Sequence, residues 1–301
     1  MAMIDVPPDW ERLAETCLAD RLRKIMVVGA ADRGKSTLCR FLVSCLAQAG
    51  AGSVLVDADV GQKDVGPPAS ITRGFLRAAS DPYSLEMDAL YFIGATTPVR
   101  HLLPMVIGTR SLVNASREGF VVVNTTGFVR GVGYALKSYK IEALRPDLLI
   151  VVDPGGETAA ITSSFPQRRT VRLTPSARVV VKSRETRRAA RERAFSGYFA
   201  GSSRIELPID ALTFQRDPGF VAALALTQGA RRTRFSLPQP NLLCGLCDGD
   251  QRCLGCGILL SLDLRAGIIS FLTPVPAARV QIVQFGDLYL NPDGEELGRR
   301  R

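Results

Sequence analysis

The stretch Ile25-Met26-Val27-Val28-Gly29-Ala30-Ala31-Asp32-Arg33-Gly34-Lys35-Ser36-Thr37 decides the fold. Ile25–Val28 is a short apolar run without alternation, as in a strand covered on both faces. Gly29 to Ser36 fits G-x-x-x-x-G-K-[ST]. From Ser36 to Gln48 the pattern is helical and ends at Gly50 and Gly52. Strand, glycine loop and helix in that order are the context of a phosphate loop. Glycines let consecutive N–H groups turn toward phosphate oxygens, and the helix N-terminus adds partial positive charge. The nucleotide-binding set is therefore Gly29, Ala30, Ala31, Asp32, Arg33, Gly34, Lys35, Ser36 and Thr37. Lys35 is expected to reach the β- and γ-phosphates of ATP, and Ser36 to ligate Mg²⁺.

The next apolar run, Val54–Val56, ends in Asp57-Ala58-Asp59-Val60-Gly61-Gln62. Two carboxylates two residues apart at a strand end emerge beside the phosphate loop. One, Asp57, is expected in the Mg²⁺ shell; the other, Asp59, is expected to accept a proton from an attacking hydroxyl. The two roles are exchangeable. Further runs at Phe120–Val123, Leu148–Val152 and Val179–Val181 have the same strand character. The fold class that follows is α/β: a P-loop NTPase with a mainly parallel sheet flanked by helices. Beyond about Leu237 the character changes to short strand-like runs split by turns at Asp248–Gly249 and Asn291–Gly294, a small β-rich C-terminal domain. The expected organisation is an N-terminal helical extension over 1–22, a P-loop domain over 23–236 and the β-rich domain over 237–301. The late run ending in Asp153 lacks the Asn-Lys-x-Asp of guanine-binding switch proteins, which argues against a GTPase of that kind.

The chain has 38 Lys and Arg against 29 Asp and Glu, a net charge of +9. Between Arg168 and Arg193 lie ten basic residues and only two acids, Glu185 and Glu192. So concentrated a charge points to a polyanion, either nucleic acid or a nucleotide's phosphates; a solvated helix face is the plain alternative. A helix is expected from an N-cap at Ser183 to about Phe199, with Arg184, Arg188 and Arg191 on one face. The single histidine, His101, excludes any site that needs two. No apolar run approaches the roughly 18 residues of a membrane helix, so no membrane partner is expected. Acids at Asp5, Asp9, Glu11, Glu15 and Asp20 are unlike a signal peptide. Seven cysteines, an odd number, read as reduced thiols and a cytoplasmic location.

The paired motifs Gly29–Thr37 and Asp57–Gln62 resemble those of the P-loop polynucleotide 5′-hydroxyl kinases, the family of the pre-mRNA cleavage-factor kinase subunit and the ribosomal-RNA-processing kinases. Phe92-Ile93-Gly94-Ala95-Thr96-Thr97-Pro98 is similar to that family's substrate clasp. Asn124-Thr125-Thr126-Gly127-Phe128-Val129-Arg130-Gly131 is similar to its Asn-Thr-x-Gly-Trp segment, with Phe128 where Trp is common; the ring keeps a π-face for a base. Arg187–Arg191 followed by Tyr198-Phe199 is similar to its arginine lid. The resemblance spans roughly 24–298. It implies transfer of ATP's γ-phosphate to the 5′-hydroxyl of single-stranded or end-exposed RNA or DNA, with no obligate protein partner. It gives catalytic roles to Lys35, Asp59, Arg188 and Arg191, and substrate contacts to Gln62, Thr96, Thr97, Thr126 and Phe128.

Two other functions share parts of the pattern. A SIMIBI-like switch ATPase has the phosphate loop and an Asp-x-Asp strand end but usually a second lysine early in the loop, where Ala30 and Ala31 stand here. A non-catalytic ATP-bound RNA-processing scaffold is the other. The remaining motif is Cys244-x-x-Cys247 with Cys253-x-x-Cys256. A hairpin centred near Asp250 is expected to set Cys247 opposite Cys253 and Cys244 opposite Cys256. Structural Zn²⁺, small buried hydrophobes and a labile disulfide all fit that spacing.

Overall fold

In the computed structural model, residues 6–300 are described except 79, 82, 117–118, 218–219 and 222–236. The expected domain boundary near 237 directly follows a segment outside the described residues. The chain divides into two compact units. One comprises Met1–Gly66, Ile71–Ala89 and Thr97–Arg187; the other comprises Pro67–Ser70, Leu90–Thr96 and Arg188–Arg301.

The elements run α1 (Pro8–Ala19), β1 (Lys24–Val28), α2 (Lys35–Gln48), β2 (Ser53–Ala58), β3 (Ser70–Leu76), β4 (Leu85–Phe92), α3 (Leu102–Asn114), β5 (Phe120–Thr125), α4 (Val132–Leu144), β6 (Leu148–Val152), α5 (Ala159–Ser163), β7 (Thr170–Leu173) and α6 (Arg184–Phe199). Then follow β8 (Ser203–Pro208), β9 (Thr213–Gln215), β10 (Leu242–Cys247), β11 (Cys253–Asp263), β12 (Ile268–Thr273), β13 (Ile282–Leu290) and β14 (Glu296–Arg299).

In the first unit the strand order is β4-β3-β2-β5-β1-β6-β7, with the Leu85–Ala89 part of β4 in this unit. From β2 to β7 all neighbours are parallel, and β3 runs against β2. β1, β5 and β6 are buried along almost their whole length, which is why their sequences are apolar runs without alternation. The register sets Asp57 of β2 beside Asn124 of β5. α1 and α2 join Ile25, Val27, Val122 and Ile150 in one core, with Trp10, Leu38 and Leu42 all but inaccessible. Burying a Leu or Val of this kind contributes about 1.5–3 kcal/mol.

Two loops need glycine because of what lies against them. A Cβ on Gly29 would sit 2.5 Å from the Val152 carbonyl oxygen, and one on Gly127 2.5 Å from the Ala31 amide nitrogen. The second fact matters for function. It brings the segment after β5 into direct contact with the phosphate loop.

Val179–Val181 is not a strand. The outer strand of this sheet is β7, and Val180 and Val181 are largely solvent-exposed. The segment is held by the phosphate loop instead. Val179 lies against Gly34, and the Lys182 amide donates to Asp32 Oδ2 at 3.2 Å. A run of three β-branched residues has strand propensity, but no neighbouring edge pairs with it. α6 begins where expected, capped by Ser183 Oγ accepting the Thr186 amide at 3.1 Å.

The second unit is largely antiparallel: β8 pairs with β12, β12 with β11, β11 with β10, β10 with β13, and β13 with β14. Its core gathers Phe214, Phe220, Phe271 and Phe285 with Cys244, Leu246 and Leu259. Among the described residues, no helix is long and apolar enough to cross a membrane.

Candidate active site

The C-terminal ends of β1, β2 and β5 meet in the first unit, and the charged residues of the sequence motifs gather there. Lys35 is buried, and its Nζ donates to the Ala30 carbonyl at 2.7 Å across the loop. Burial lowers its proton affinity, and Asp59 gives the strongest opposing pull. The loop's flanks are tied down: Arg33 pairs with Glu157, and Asp32 pairs with Arg187. Thr37 continues the first turn of α2, and Gly34 takes the left-handed conformation at its N-cap.

Asp57 has no solvent exposure. Its Oδ1 accepts the Asn124 side-chain amide at 3.1 Å, and the same amide donates to Ser36 Oγ at 3.2 Å. The two oxygens expected to ligate a metal thus share one donor. Asp57 Oδ2 accepts the Asp64 amide at 2.9 Å and lies 3.4 Å from Lys63 Nζ. Burial lowers the proton affinity of Lys63, and Asp57 is the strongest counterweight. Asp64 is itself buried and pairs with Arg40 at 2.6 Å. Burial raises its carboxyl above the usual range, and Arg40 opposes the rise.

Two buried oxygens here, Asn124 Oδ1 and Asp64 Oδ2, have no hydrogen-bond partner. Such orphans beside Ser36 and Asp57 are consistent with a cation site. No group of three or more His, Cys, Asp or Glu among the described residues is arranged to hold a metal. Mg²⁺ does not need one, since it keeps waters and phosphate oxygens around one or two protein ligands.

Asp59 differs from Asp57. It is half-buried, and its Oδ1 accepts the amides of Gly61 and Gln62 at 3.0 and 3.1 Å. These amides fix the carboxylate's direction without burying it. The Gln62 side chain donates to the Arg187 carbonyl at 3.3 Å, which ties the acid-bearing turn to the start of α6. Thr126 Oγ1 accepts from Lys137 Nζ at 2.8 Å, Thr97 Oγ1 accepts the Val99 amide at 3.3 Å, and the Phe128 ring is 44% exposed. The structure therefore brings Lys35, Ser36, Asp57, Asp59, Gln62 and Thr126 together within the first unit.

The expected lid arginines are held by acids of the second unit. Arg188 donates to Glu192 at 2.8 Å and to the Glu296 carbonyl at 2.7 Å; Arg191 pairs with the Glu296 carboxylate at 2.5 Å. Thr96, in the same unit, accepts from Arg299 at 3.0 Å. The arginine that touches the phosphate loop is Arg187, which the lid resemblance spans but to which it gives no role of its own.

The cysteines do not converge. Cys247 does face Cys253, but Cys244 faces Gly257, and Cys256 faces Gly245. A register shift after Leu246 moves Cys256 one place along. Strand side chains alternate in direction, so Cys244 lies on the opposite face from Cys247 and enters the phenylalanine core. A tetrahedral zinc site needs all four thiolates around one point, and this donor set does not fit it.

Sequence reasoning also missed Lys63, Asp64, Lys137 and Lys140, and it placed Asn124 in a family-like segment without giving it a role. Asn124 carried a signal, a polar residue at the end of an apolar strand, just as Asp57 is. Lys137 and Lys140 carried another, since both stand on the apolar stripe of α4.

A phosphate loop, a strand-end acid pair and a buried amide bridging Ser36 and Asp57 define a P-loop nucleotide-binding protein. Comparison with known proteins narrows the class. The family model for the mRNA cleavage and polyadenylation factor CLP1 P-loop matches residues 29–201. A polyribonucleotide 5′-hydroxyl-kinase of Thermococcus kodakarensis is 30% identical over 99% of this chain and 97% of its own length. One from Pyrococcus furiosus is 30% identical over 98% and 95%. The solved structure of the Clp1p–Pcf11p complex superimposes with a TM-score of 0.71 at 14% identity, covering 92% of this chain and 78% of that one. The chain belongs to the CLP1 P-loop family.

Proposed function

We infer that this chain is an ATP-dependent polynucleotide 5′-hydroxyl kinase. The observation that carries the reading is the convergence, in one unit, of Lys35, Ser36 and the Asp57–Asp59 pair with the Thr126–Gly127 segment packed on the loop. Family membership and full-length similarity to polyribonucleotide 5′-hydroxyl-kinases support the same conclusion.

Phosphoryl transfer asks a protein for alignment and charge neutralisation rather than covalent chemistry. Lys35 exchanges the Ala30 carbonyl for phosphate oxygens. Ser36 and Asp57 would hold Mg²⁺, which supplies charge neutralisation at the phosphates when bound. Asp59, oriented by two amides and open on one side, accepts the proton of the 5′-hydroxyl. Asp57 is the poorer base, because Lys63 and Asn124 already occupy its oxygens. Gln62, Thr97, Thr126 and the Phe128 ring bind the polynucleotide end. Arg187 seats the start of α6 on the loop through Asp32. Arg188 and Arg191 neutralise the γ-phosphoryl group by giving up Glu192 and Glu296. The polyanion matched by the basic 168–193 window is RNA or DNA.

Incubation with γ-labelled ATP and a 5′-hydroxyl oligonucleotide tests this. Label on the oligonucleotide, lost in Lys35→Ala, is the expected result. Released phosphate with an unlabelled oligonucleotide would turn the assignment to a switch ATPase; neither product would turn it to a scaffold.

A further inference from the structure

α4 joins the C-terminal end of β5 to the start of parallel β6, so it runs against the strands. Its first turn lies at the edge of the sheet that carries the phosphate loop. Helix side chains lean toward the helix N-terminus. Lys137 and Lys140 therefore lean toward that edge, and for Lys137 the hydrogen bond to Thr126 shows it.

Both lysines have no solvent exposure. They lie among Gly133, Leu136, Ile141 and Leu144 on the buried face of α4. Among the described residues, Lys140 Nζ has no hydrogen-bond partner. A buried, unpaired ammonium costs several kcal/mol that a Met or Leu at the same place would not. Residues kept at such a cost beside a site commonly serve it.

The charges around Lys140 come from three directions: Asp57 and Asp59 at the end of β2, Lys63 in the turn after it, and Lys137 one turn back on α4. Lys35 on α2 acts on Lys137. Burial pushes Lys140 down to about 7, with Asp59 the strongest opposing pull. Burial drives Lys137 well below the usual lysine range, and Lys140 adds to the effect. Without a ligand, the surroundings offer Lys140 no direct partner for a full positive charge. A polyphosphate arriving at the loop changes that balance.

We propose that Lys137 and Lys140 form a second, buried row of amino groups behind the phosphate loop, and that binding of the ATP polyphosphate draws a proton onto Lys140. The proposal rests on the phosphate-loop reading. By linkage, affinity for the nucleotide falls as pH rises through the neutral range. Lys140 is thus a positioning residue for phosphate charge, acting from behind the atoms that touch the ligand.

The test is calorimetric titration with the Mg²⁺ complex of AMP-PNP at pH 7, in buffers of different ionisation heat. The wild-type protein is expected to take up roughly half a proton per nucleotide, as a group titrating near that pH does. In Lys140→Met the uptake should vanish and Kd should rise about threefold to tenfold. Equal uptake in the two proteins, or none in the wild type, overturns the proposal. Lys35→Ala separates the two claims, because undiminished binding there would sink the phosphate-loop reading itself.

Thermal unfolding tests the burial cost on which the proposal stands. Lys140 binds its proton less tightly folded than unfolded, so its penalty is complete below about pH 7 and is relieved as pH rises toward the unfolded value near ~10.4. Lys140→Met should therefore unfold at a higher temperature than wild type at pH 6, with the gap closing by pH 10. A lower unfolding temperature at pH 6 counts against the proposal. Lys140→Gln carries the same comparison if the Met variant does not fold.

Discussion

The phosphate-loop edge and the β10–β11 hairpin each carry a spaced motif, yet only one of them builds a site. Gly29–Ser36 spans a strand end, a loop and a first helical turn. That backbone points Lys35 and Ser36 at one place, where Asp57 and Asn124 arrive from neighbouring parallel strands. Cys244 to Cys256 lies along two extended strands. There the alternation and the register shift send Cys244 to one face and Cys247 to the other. Regular spacing tells where side chains go only once the backbone beneath it is known.

The largest expected effect probes the first region. Asp59→Asn should slow transfer about 10²-fold or more while leaving ATP binding nearly intact, as removal of a positioned base does. Asp57→Asn should instead lose Mg²⁺-dependent nucleotide binding and part of the stability that its buried pairing with Lys63 requires. If single-turnover rates show only Asp57→Asn losing the chemical step, the roles are exchanged.

Three of the five arginines of α6 sharpen the same contrast. Arg187→Ala releases Asp32 and is expected to raise the KM for ATP. Arg188→Ala and Arg191→Ala should lower kcat, by up to ~10³-fold for a charge that acts only in the transition state. Small, equal, KM-type changes in all three would reduce the helix to a plain basic patch, its effects fading with salt.

The smallest effect belongs to the hairpin. Cys244→Ala removes a thiol from the phenylalanine core and should cost about 1–2 kcal/mol in urea unfolding. Cys253→Ser, at a half-buried position, should cost less. A zinc-selective chelator should leave the unfolding midpoint unchanged; a clear drop would restore a metal to these thiols.

Much of the site was legible in the sequence, because it is local. Lys35 and Ser36 belong to one continuous loop. Asp57 and Asp59 end one strand, and Ser183 caps one helix. Lys63 and Asp64 were hidden because a charged pair following a strand looks like a solvated turn until Asp57 and Arg40 bury it. Arg187 was hidden among ten basic residues, since which of them meets Asp32 depends on the path of 174–183 over the loop.

By itself the sequence determined an α/β phosphate-loop protein, the residues of that loop and its strand-end acids. Each of these is set by hydrophobic period, glycine and capping chemistry within a dozen residues of chain. Only the tertiary structure decided that Val179–Val181 forms no strand, that the four cysteines part company, and that two lysines stand buried behind the catalytic edge. Edge pairing, strand register and the direction of a helix face all depend on contacts between segments far apart in the chain, and burial fixes their electrostatic consequences.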